Sequence, residues 1–558
     1  MTAVQKNKRK GSCRNKLVLL LVSACAAVVL LVRDDSCFVL VQVARMTSPP
    51  AATPPPGAAK ETRPYAADSM WEMEWESVSR LISSKSSISS RISRVGVLNF
   101  DSSEVAHWRR TLPAGCDVQE VRLAPASTAV TWDALYPVWI DEAANSSSSR
   151  CPSLPDPVVR AGESFYDLVA VKLPCRRQQA GGSWSRDVRR LHLQLSAAKL
   201  ALLTHTRRRT SMQLVLILSP GECFPLPNLF PCKHLLARHG HAWLYRLDAH
   251  YLRRRLSLPV GSCQLAPASP SSSQRPSSSR RREAYATVLH SGDAYVCGAI
   301  ALAHSIRRSG STTRDLVALV DAKGVGAEQR AGLAAAGWQV RPAPRIRNPR
   351  AARHAYNEWN YSKFRLWQLT DYDRVVFLDA DLLVLRNLDF LFDQETLELS
   401  ATGNSGARFN SGVMVLEPCN CTFDLLMSGI HRIQSYNGGD QGYLNEVFAW
   451  WHRLPRTTNL LKHGRNVRVR ADTLAVHYLG IKPWLCYRDY DCNWDVPELQ
   501  RFASDEAHAR WWDLHDTIRP AELTRRFCAL PAAQQAALER NRRDWNRTIT
   551  DPRRQASP

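Results

Sequence analysis

Arg374-Val-Val-Phe-Leu-Asp379-Ala380-Asp381-Leu-Leu-Val-Leu385 sets two carboxylates, one residue apart, at the end of an apolar run that reads as a buried strand. If the chain stays extended there, Asp379 and Asp381 point to the same side, because side chains alternate along a strand. Two hard oxygen donors on one side suit a divalent cation that carries phosphate oxygens. The carboxyl ends of strands in open α/β sheets are also where ligands bind. Taken alone, the same residues read equally well as a turn or a helix start.

The pattern around this stretch favours the strand. Tyr285-Ala-Thr-Val-Leu289 reads as a strand, followed by a turn at Ser291-Gly-Asp293 and a helix over 294–308. Asp315-Leu-Val-Ala-Leu-Val320 is a second strand, a helix follows through Ala335, and Trp338-Gln-Val340 is a third. A helix over 363–370 leads into the Asp-x-Asp strand. Strands alternating with helices imply a mostly parallel sheet with right-handed crossovers. Neither a G-x-G-x-x-G nor a phosphate-loop pattern is present, which excludes the common dehydrogenase and P-loop ATPase readings. Upstream, Val95-Gly-Val-Leu-Asn-Phe100, Leu168-Val-Ala-Val-Lys-Leu173 and Gln213-Leu-Val-Leu-Ile-Leu218, with a helical stretch over 189–203, predict a smaller α/β domain of unassigned role.

The chain has 558 residues, enough for two or three domains, and a net charge of +23. Its basic residues are scattered or in short runs such as Arg207-Arg208-Arg209, without any zinc-finger, basic-zipper or RNA-binding signature. Nucleic acid is therefore not an expected partner. Lys6, Lys8, Arg9, Lys10, Arg14 and Lys16 precede an apolar run, residues 17–32, which would span about 24 Å as a helix. The Arg33-Asp34-Asp35 flank lacks a small-x-small cleavage site, so an uncleaved signal anchor is preferred to a cleaved signal peptide. The positive-inside rule then predicts a single-pass type II protein with its body in the lumen. The resulting division is a cytosolic tail (1–16), an anchor (17–32), a stem (33–94), the first α/β domain (95–265), a Ser/Pro/Arg linker (266–283), a second α/β domain (284–495) and a helical C-terminal extension (496–558). Of the fifteen cysteines, Cys486/Cys492 and Cys223/Cys232 are close enough in sequence to pair, although spacing does not give connectivity. Asn145, Asn360, Asn420 and Asn546 lie in glycosylation sequons.

Three further segments follow the Asp-x-Asp: Phe409-Asn410-Ser411-Gly412, Asn437-Gly-Gly-Asp440-Gln441-Gly442 and His477-Tyr-Leu-Gly480-Ile-Lys482-Pro-Trp484. Singly, each has a plain structural reading: a turn, a helix cap by Asp440, a satisfied histidine, a surface turn. In this order, together with Lys363, they resemble glycogenin and the wider glycosyltransferase family 8, retaining enzymes of the GT-A fold that use nucleotide sugars and manganese. The resemblance covers about 285–494. Within the family, Tyr361-Ser-Lys-Phe-Arg-Leu-Trp-Gln-Leu-Thr-Asp-Tyr-Asp373, Asn410-Ser-Gly-Val-Met-Val-Leu-Glu-Pro418, Cys486-Tyr-Arg-Asp-Tyr-Asp-Cys-Asn-Trp494 and Ala507-His-Ala-Arg-Trp-Trp512 are most similar to the plant enzymes that place glucuronic acid on xylan.

That resemblance implies Golgi residence, UDP-glucuronate as donor, xylan as acceptor, and assembly with itself or with other polysaccharide synthases. It implies Mn²⁺ held by Asp379, Asp381 and His477, a donor set that suits this ion. Lys482 and the Gly480 backbone would meet the diphosphate, and Leu289, Ser291 and Tyr295 the uridine, where His290 and Gly292 depart from glycogenin. Lys363, Asn410, Ser411, Gly412, Asp440 and Gln441 would face the donor sugar, beside Ala380 between the two metal-binding aspartates. Asp440 and Gln441 are the candidate catalytic pair, Asp440 as nucleophile or as anchor for sugar hydroxyls. Arg365 is the candidate for the donor carboxylate, with an exposed helical arginine as the alternative. Two other readings remain: a glucose or galactose transferase of the same family, and a catalytically silent synthase partner that would be expected to lack a metal ligand.

Overall fold

The computed structural model describes residues 30–34, 37–41, 65, 69–83, 92–113, 115–142, 151–159, 165–175, 183–208, 212–221, 223–265, 281–291, 295–393, 399–404, 407–543 and 546–554. Residues 1–61 and 62–558 form two units. In the first, β1 (Leu30–Asp34) and β2 (Cys37–Val41) make an antiparallel hairpin. Residues 17–29 of the expected anchor lie outside the described residues. The last three of the run, Leu30 to Val32, are in β1 and not in a helix, consistent with the apolar β-forming residues on both strands. Among the described residues no helix is long and apolar enough to cross a membrane.

The second unit contains two large sheets. The first is ordered β4-β3-β5-β6-β8-β7, from β3 (Arg94–Leu98), β4 (Asp117–Glu120), β5 (Leu168–Lys172), β6 (Met212–Leu218), β7 (Leu235–His239) and β8 (Ala242–Asp248). Its first four strands are parallel, β8 runs antiparallel to β6, and β7 runs antiparallel to β8. Helix Trp75–Ser83 falls in the stretch expected as stem. Its Val78, Leu81 and Ile82, at helical spacing, pack with Val95 and Val97 against this sheet.

The second sheet is ordered β11-β10-β9-β12-β15-β14-β16. Its strands are β9 (Glu283–Leu289), β10 (Asp315–Val320), β11 (Gln339–Pro342), β12 (Arg374–Leu378), β14 (Leu399–Gly403), β15 (Phe409–Leu416) and β16 (His452–Leu454). The strands β11, β10, β9 and β12 run parallel; β15 is antiparallel to both β12 and β14, so the sheet is mixed. The chain leaves β9 towards β10 and β11, then returns to its other side at β12. The carboxyl ends of β9 and β12 therefore form a topological switch point, where such sheets open a crevice. A smaller sheet joins β13 (Leu382–Val384), β18 (Ala475–His477) and β17 (Leu460–Leu461).

The strand β12 is buried on both faces: Val375 and Phe377 point into one core, Val376 and Leu378 into the other. The first core also contains Val169, Val171, Val215 and Ile217 of the first sheet, so the two sheets share it. The joint has polar ties as well. Glu417 lies 2.7 Å from Lys233, 3.8 Å from Arg255 and 3.6 Å from Arg374. The Asn228 side chain donates to the Trp450 carbonyl at 2.5 Å and accepts from the Leu399 N–H at 2.9 Å. Disulfides among the described residues join Cys151–Cys263, Cys175–Cys223, Cys232–Cys421, Cys297–Cys528 and Cys486–Cys492. The Cys486/Cys492 pairing matches its spacing. Cys223 and Cys232 do not pair with each other, because each is bonded to a cysteine from elsewhere in the chain, Cys175 and Cys421.

Candidate active site

The two aspartates do not sit on a strand. The strand β12 ends at Leu378 and β13 begins at Leu382, and the Leu382 N–H closes a turn onto the Asp379 carbonyl at 3.1 Å. It is this turn, and not strand alternation, that brings the carboxylates together. The backbone of Ala380 packs on Gly298 at the start of helix Val296–Arg308, where a Cβ would lie 2.4 Å from the Ala380 carbonyl oxygen. In the β13–β18 register Leu382 faces His477, which delivers the imidazole to the turn across about a hundred residues of chain.

One ligand atom each from Asp379, Asp381 and His477 falls within 4.8 Å of the others. His477 Nε2 is 3.3 Å from Asp381 Oδ1. Its Nδ1 lies 3.1 Å from Asn459 Oδ1, and the Asn459 amide donates to Asn410 Oδ1 and Thr402 Oγ1, both at 2.9 Å. With Nδ1 donating to the Asn459 oxygen, Nε2 would be the atom left to offer its lone pair to an ion held by the carboxylates, as a metal-binding histidine requires. Two carboxylates and a neutral imidazole therefore fit a divalent transition ion. A second cluster, Cys486, Asp491 and His508, does not: Cys486 is in a disulfide and Asp491 pairs with Lys462 at 2.5 Å.

Two lysines balance the carboxylates. Lys482 Nζ is 2.6 Å from Asp381 Oδ2, and Lys363 Nζ is 3.0 Å from Asp379 Oδ2 and 3.1 Å from Asp440 Oδ2. Burial, aided by neighbouring Asp381, lifts the Asp379 carboxyl to about 6 against the pull of Lys363. Burial opposes the charge on Asp381 too, but Lys482 and His477 outweigh it and hold that carboxyl well below its usual range. Burial also works against Lys363, whose two carboxylates nonetheless raise its pKa.

Asp440 opens helix Asp440–Val447 but does not cap it. Gly439 is the cap residue, and Asp440 Oδ2 instead accepts from Lys363 and from Ser411 Oγ at 2.8 Å. Gln441 accepts from the Ser411 N–H at 3.2 Å and donates to Tyr436 Oη at 2.6 Å. Asn410 Oδ1 holds the Gly412 N–H at 2.8 Å as well as Asn459, so it shapes the turn beside the imidazole. Gly412 lies directly under that ring: a Cβ there would be 2.3 Å from His477 Cε1. Gly480 has φ +76° and no room for a Cβ, which would meet Asn493 Oδ1 at 2.2 Å. That same oxygen accepts the Ile481 N–H at 2.8 Å and so clamps the loop carrying Lys482.

Residues 286–487 match the family model for glycosyl transferase family 8, and residues 64–263 match that for the GUX1-5 N-terminal domain. UDP-glucuronate:xylan alpha-glucuronosyltransferase 1 of Arabidopsis thaliana is 52% identical over 490 residues, covering 82% of this chain and 72% of the relative. The chain belongs to glycosyl transferase family 8. Glycogenin-1 of Caenorhabditis elegans is 36% identical over 36% of this chain and 51% of its own. The solved galactosyltransferase LgtC, in complex with donor and acceptor sugar analogs, aligns at 19% identity with a TM-score of 0.32, covering 45% of this chain and 99% of its own.

This family 8 chain brings most of the expected residues to one place. Leu289 ends β9, with its carbonyl bound by the Asp321 N–H at 3.0 Å. Tyr295 stands at the start of helix Val296–Arg308, edge-on to Trp484, within the electrostatic reach of Lys482, Asp381 and Asp379. Ser291 borders residues 292–294, which lie outside the described residues. Arg365 is not part of this group. Lys363 and Arg365 share a 3₁₀ run, Asn360–Gln368, where two residues are two-thirds of a turn and thus point apart. Arg365 instead donates to the Pro344 carbonyl at 3.1 Å and Gln368 at 2.8 Å, over the Phe423 ring.

Sequence reasoning missed other residues here. Arg345 lies 4.0 Å over the Trp359 ring and 3.5 Å from Asp321. His290 has a buried Nδ1 with no partner among the described residues. Burial, reinforced by Lys363 and Arg345, lowers the His290 pKa against the opposing effect of Asp440 and Asp321, so these charged groups lie near His290. Asp321, at the end of the apolar β10, followed the same signal as Asp379. Asn459, in an ordinary polar loop, offered none.

Proposed function

We propose that the chain transfers glucuronic acid from UDP-glucuronate to xylan in an α linkage, with retention of configuration. The observation that carries this is the 52% identity to a UDP-glucuronate:xylan alpha-glucuronosyltransferase across both matched regions, with the Asp379, Asp381 and His477 donor set intact. That intact donor set also disfavours the silent-partner reading.

Asp379, Asp381 and His477 would hold Mn²⁺, which when bound supplies positive charge to the leaving diphosphate. Lys482 is the protein cation beside that corner and adds to the same stabilisation. Asp440 is held at one oxygen by both Lys363 and Ser411, which supports a fixed anchor for sugar hydroxyls over a mobile nucleophile. Same-face attack follows: the acceptor hydroxyl attacks the anomeric carbon as UDP leaves, and its proton passes to the departing phosphate. Gln441 is fixed through its amide at both ends, its oxygen on the Ser411 N–H and its nitrogen on Tyr436, and its carbonyl oxygen would have a lone pair left for the positive charge that develops. We assign the donor carboxylate to Arg345 and not to Arg365, because Arg345 acts on His290 beside Lys363 and Asp440 while Arg365 is turned to Pro344 and Gln368.

The basic residues ahead of the apolar run 17–32 support a type II anchor, and the disulfides support an oxidising lumen such as the Golgi. A screen of UDP-sugars with neutral xylo-oligosaccharides and Mn²⁺ tests the reading. Turnover is expected with UDP-glucuronate; UDP release from UDP-glucose alone would make the chain a glucosyltransferase, and no turnover with any donor would favour the silent partner.

A further inference from the structure

A cavity of about 800 Å³ opens between the first sheet and the catalytic region, within the usual range for a ligand site. Its wall carries five arginines: Arg186, Arg238, Arg350, Arg408 and Arg432. Glu446 is its single acidic lining residue and is taken by Arg186 at 2.6 Å and by Ser183 and Ser185. The other four arginines have no carboxylate partner among the described residues. Arg350 and Arg432 donate to backbone carbonyls, while Arg238 sits 3.8 Å over the Trp243 ring and Arg408 3.7 Å over the Tyr436 ring. Burial, followed by the opposed effects of Tyr245 and Arg432, lowers the Arg238 pKa, so two of these cations crowd each other.

The wall is also short of acceptors. Trp243 Nε1 and Arg186 Nε are buried N–H donors without a partner among the described residues. Such groups cost free energy until something accepts from them. The ligand that suits this lining is an anion rich in acceptor oxygens with flat, stackable faces, as an acidic sugar has. The cavity also adjoins the catalytic centre. Tyr436 lines it, carries Arg408 on its ring at 3.7 Å, and accepts from Gln441 at 2.6 Å.

We propose that this cavity is a second sugar site that holds a uronate-bearing stretch of the acceptor chain while a neighbouring unit of that chain occupies the catalytic centre. The site rests on the xylan reading above and extends it: the product of one transfer becomes a ligand during the next. Arg238 and Arg432 recognise the carboxylate, and Tyr436, an exposed aromatic of the lining, faces a sugar ring. Electrostatic recognition of this kind weakens with salt.

The test compares binding of neutral xylohexaose and xylohexaose bearing one glucuronic acid side group to the full chain without donor, by calorimetry. The acidic oligosaccharide is expected to bind about tenfold more tightly at low salt. That advantage should vanish at high salt and in Arg238→Gln and Arg432→Gln, with UDP-glucuronate hydrolysis unchanged in both variants. Equal affinity for the two oligosaccharides, or an advantage untouched by both variants, overturns the proposal. Competition of UDP or inorganic phosphate for the acidic oligosaccharide overturns it too, by making the cavity a phosphate site. If a variant fails to fold, the salt dependence in the unaltered protein still decides. Absence of UDP-glucuronate turnover in the unaltered protein would refute the donor assignment instead, while the binding comparison would still be readable.

Discussion

Gly412→Ala tests the metal-binding geometry with the smallest change available. The added methyl would start 2.3 Å from His477 Cε1, 2.6 Å from Nδ1 and 2.9 Å from Asn410 Oδ1. Ordinary contact begins near 3.4 Å, so the imidazole must retreat by about 1 Å. It cannot retreat freely, because Nδ1 is tied to Asn459 and the strand β18 is paired to β13. Metal–ligand distances tolerate only about 0.2 Å, and a misplacement of about 1 Å in a reacting assembly costs on the order of a hundredfold. We therefore expect Gly412→Ala to lower transfer about a hundredfold, or about 2.7 kcal/mol, with the Mn²⁺ concentration for half-maximal activity raised at least tenfold. The thermal midpoint should move by no more than about 4 °C, because one ring is displaced and no core is opened. Mn²⁺ titration of the chelator-stripped protein, with a parallel melting curve, gives both quantities. Unchanged half-saturation and turnover in a folded variant would refute the assignment of His477 to the metal.

Asn459→Ala removes the acceptor that orients His477 Nδ1 and should weaken Mn²⁺ half-saturation by about 10- to 100-fold; an unchanged Mn²⁺ titration would show that Asn459 does not orient the ligand. Arg345→Gln should reduce kcat/KM for UDP-glucuronate relative to UDP-glucose by about tenfold or more, whereas Arg365→Gln should leave that ratio intact; the opposite ranking would restore Arg365 as the carboxylate partner. Burial raises the Glu417 carboxyl, but Arg255, Lys233 and Arg374 outweigh it and hold it down to about 2. A carboxyl depressed on folding stabilises above its unfolded pKa near 4.5, and that stabilisation is lost as pH falls towards 2. Its size is up to about 3 kcal/mol, so urea unfolding of Glu417→Gln should show a flatter pH dependence below about 4.5 than the unaltered protein; parallel curves would count against the cluster.

Much of the catalytic sheet was legible because its strands are short apolar runs alternating with helices, and β10 appears where the pattern put it, Asp315–Val320. The candidate metal set of Asp379, Asp381 and His477 came from the resemblance to family 8 that the ordered motifs carry, and the structure brings its three side chains together. What was not legible depends on three-dimensional detail. Asp379 and Asp381 converge through a turn that apolar flanks do not distinguish from a strand. Arg365 was chosen for its charge and its nearness to Lys363 in sequence, but residues two apart do not share a face of a helical run, and its partners are the Pro344 carbonyl and Gln368. Arg345 has nothing local to mark it, since its partners Asp321 and Trp359 come from either side of it in the chain. The cysteine connectivity likewise required the fold: Cys232 finds Cys421 at a sequence separation of 189.

The first sheet, whose role the sequence left unassigned, acquires one from the helix Asp440–Val447. That helix carries Asp440 and Gln441 in its first turn and Glu446 in its last. Glu446 is gripped by Ser183, Ser185 and Arg186, from the segment that leads into the helix Val188–Arg208 of the first sheet's layer. The opposite end is fixed by Lys363 and Ser411 of the catalytic region. The candidate catalytic pair is thus held by two parts of the chain on either side of it, and the shared core between the sheets resists any shift of one against the other. A catalytic sheet alone would leave Glu446 without these partners and the far end of that helix unrestrained. The upstream region is therefore a structural part of the catalytic centre, which accounts for one face of its sheet packing into the core of the catalytic region while the other face packs under the helix Trp75–Ser83.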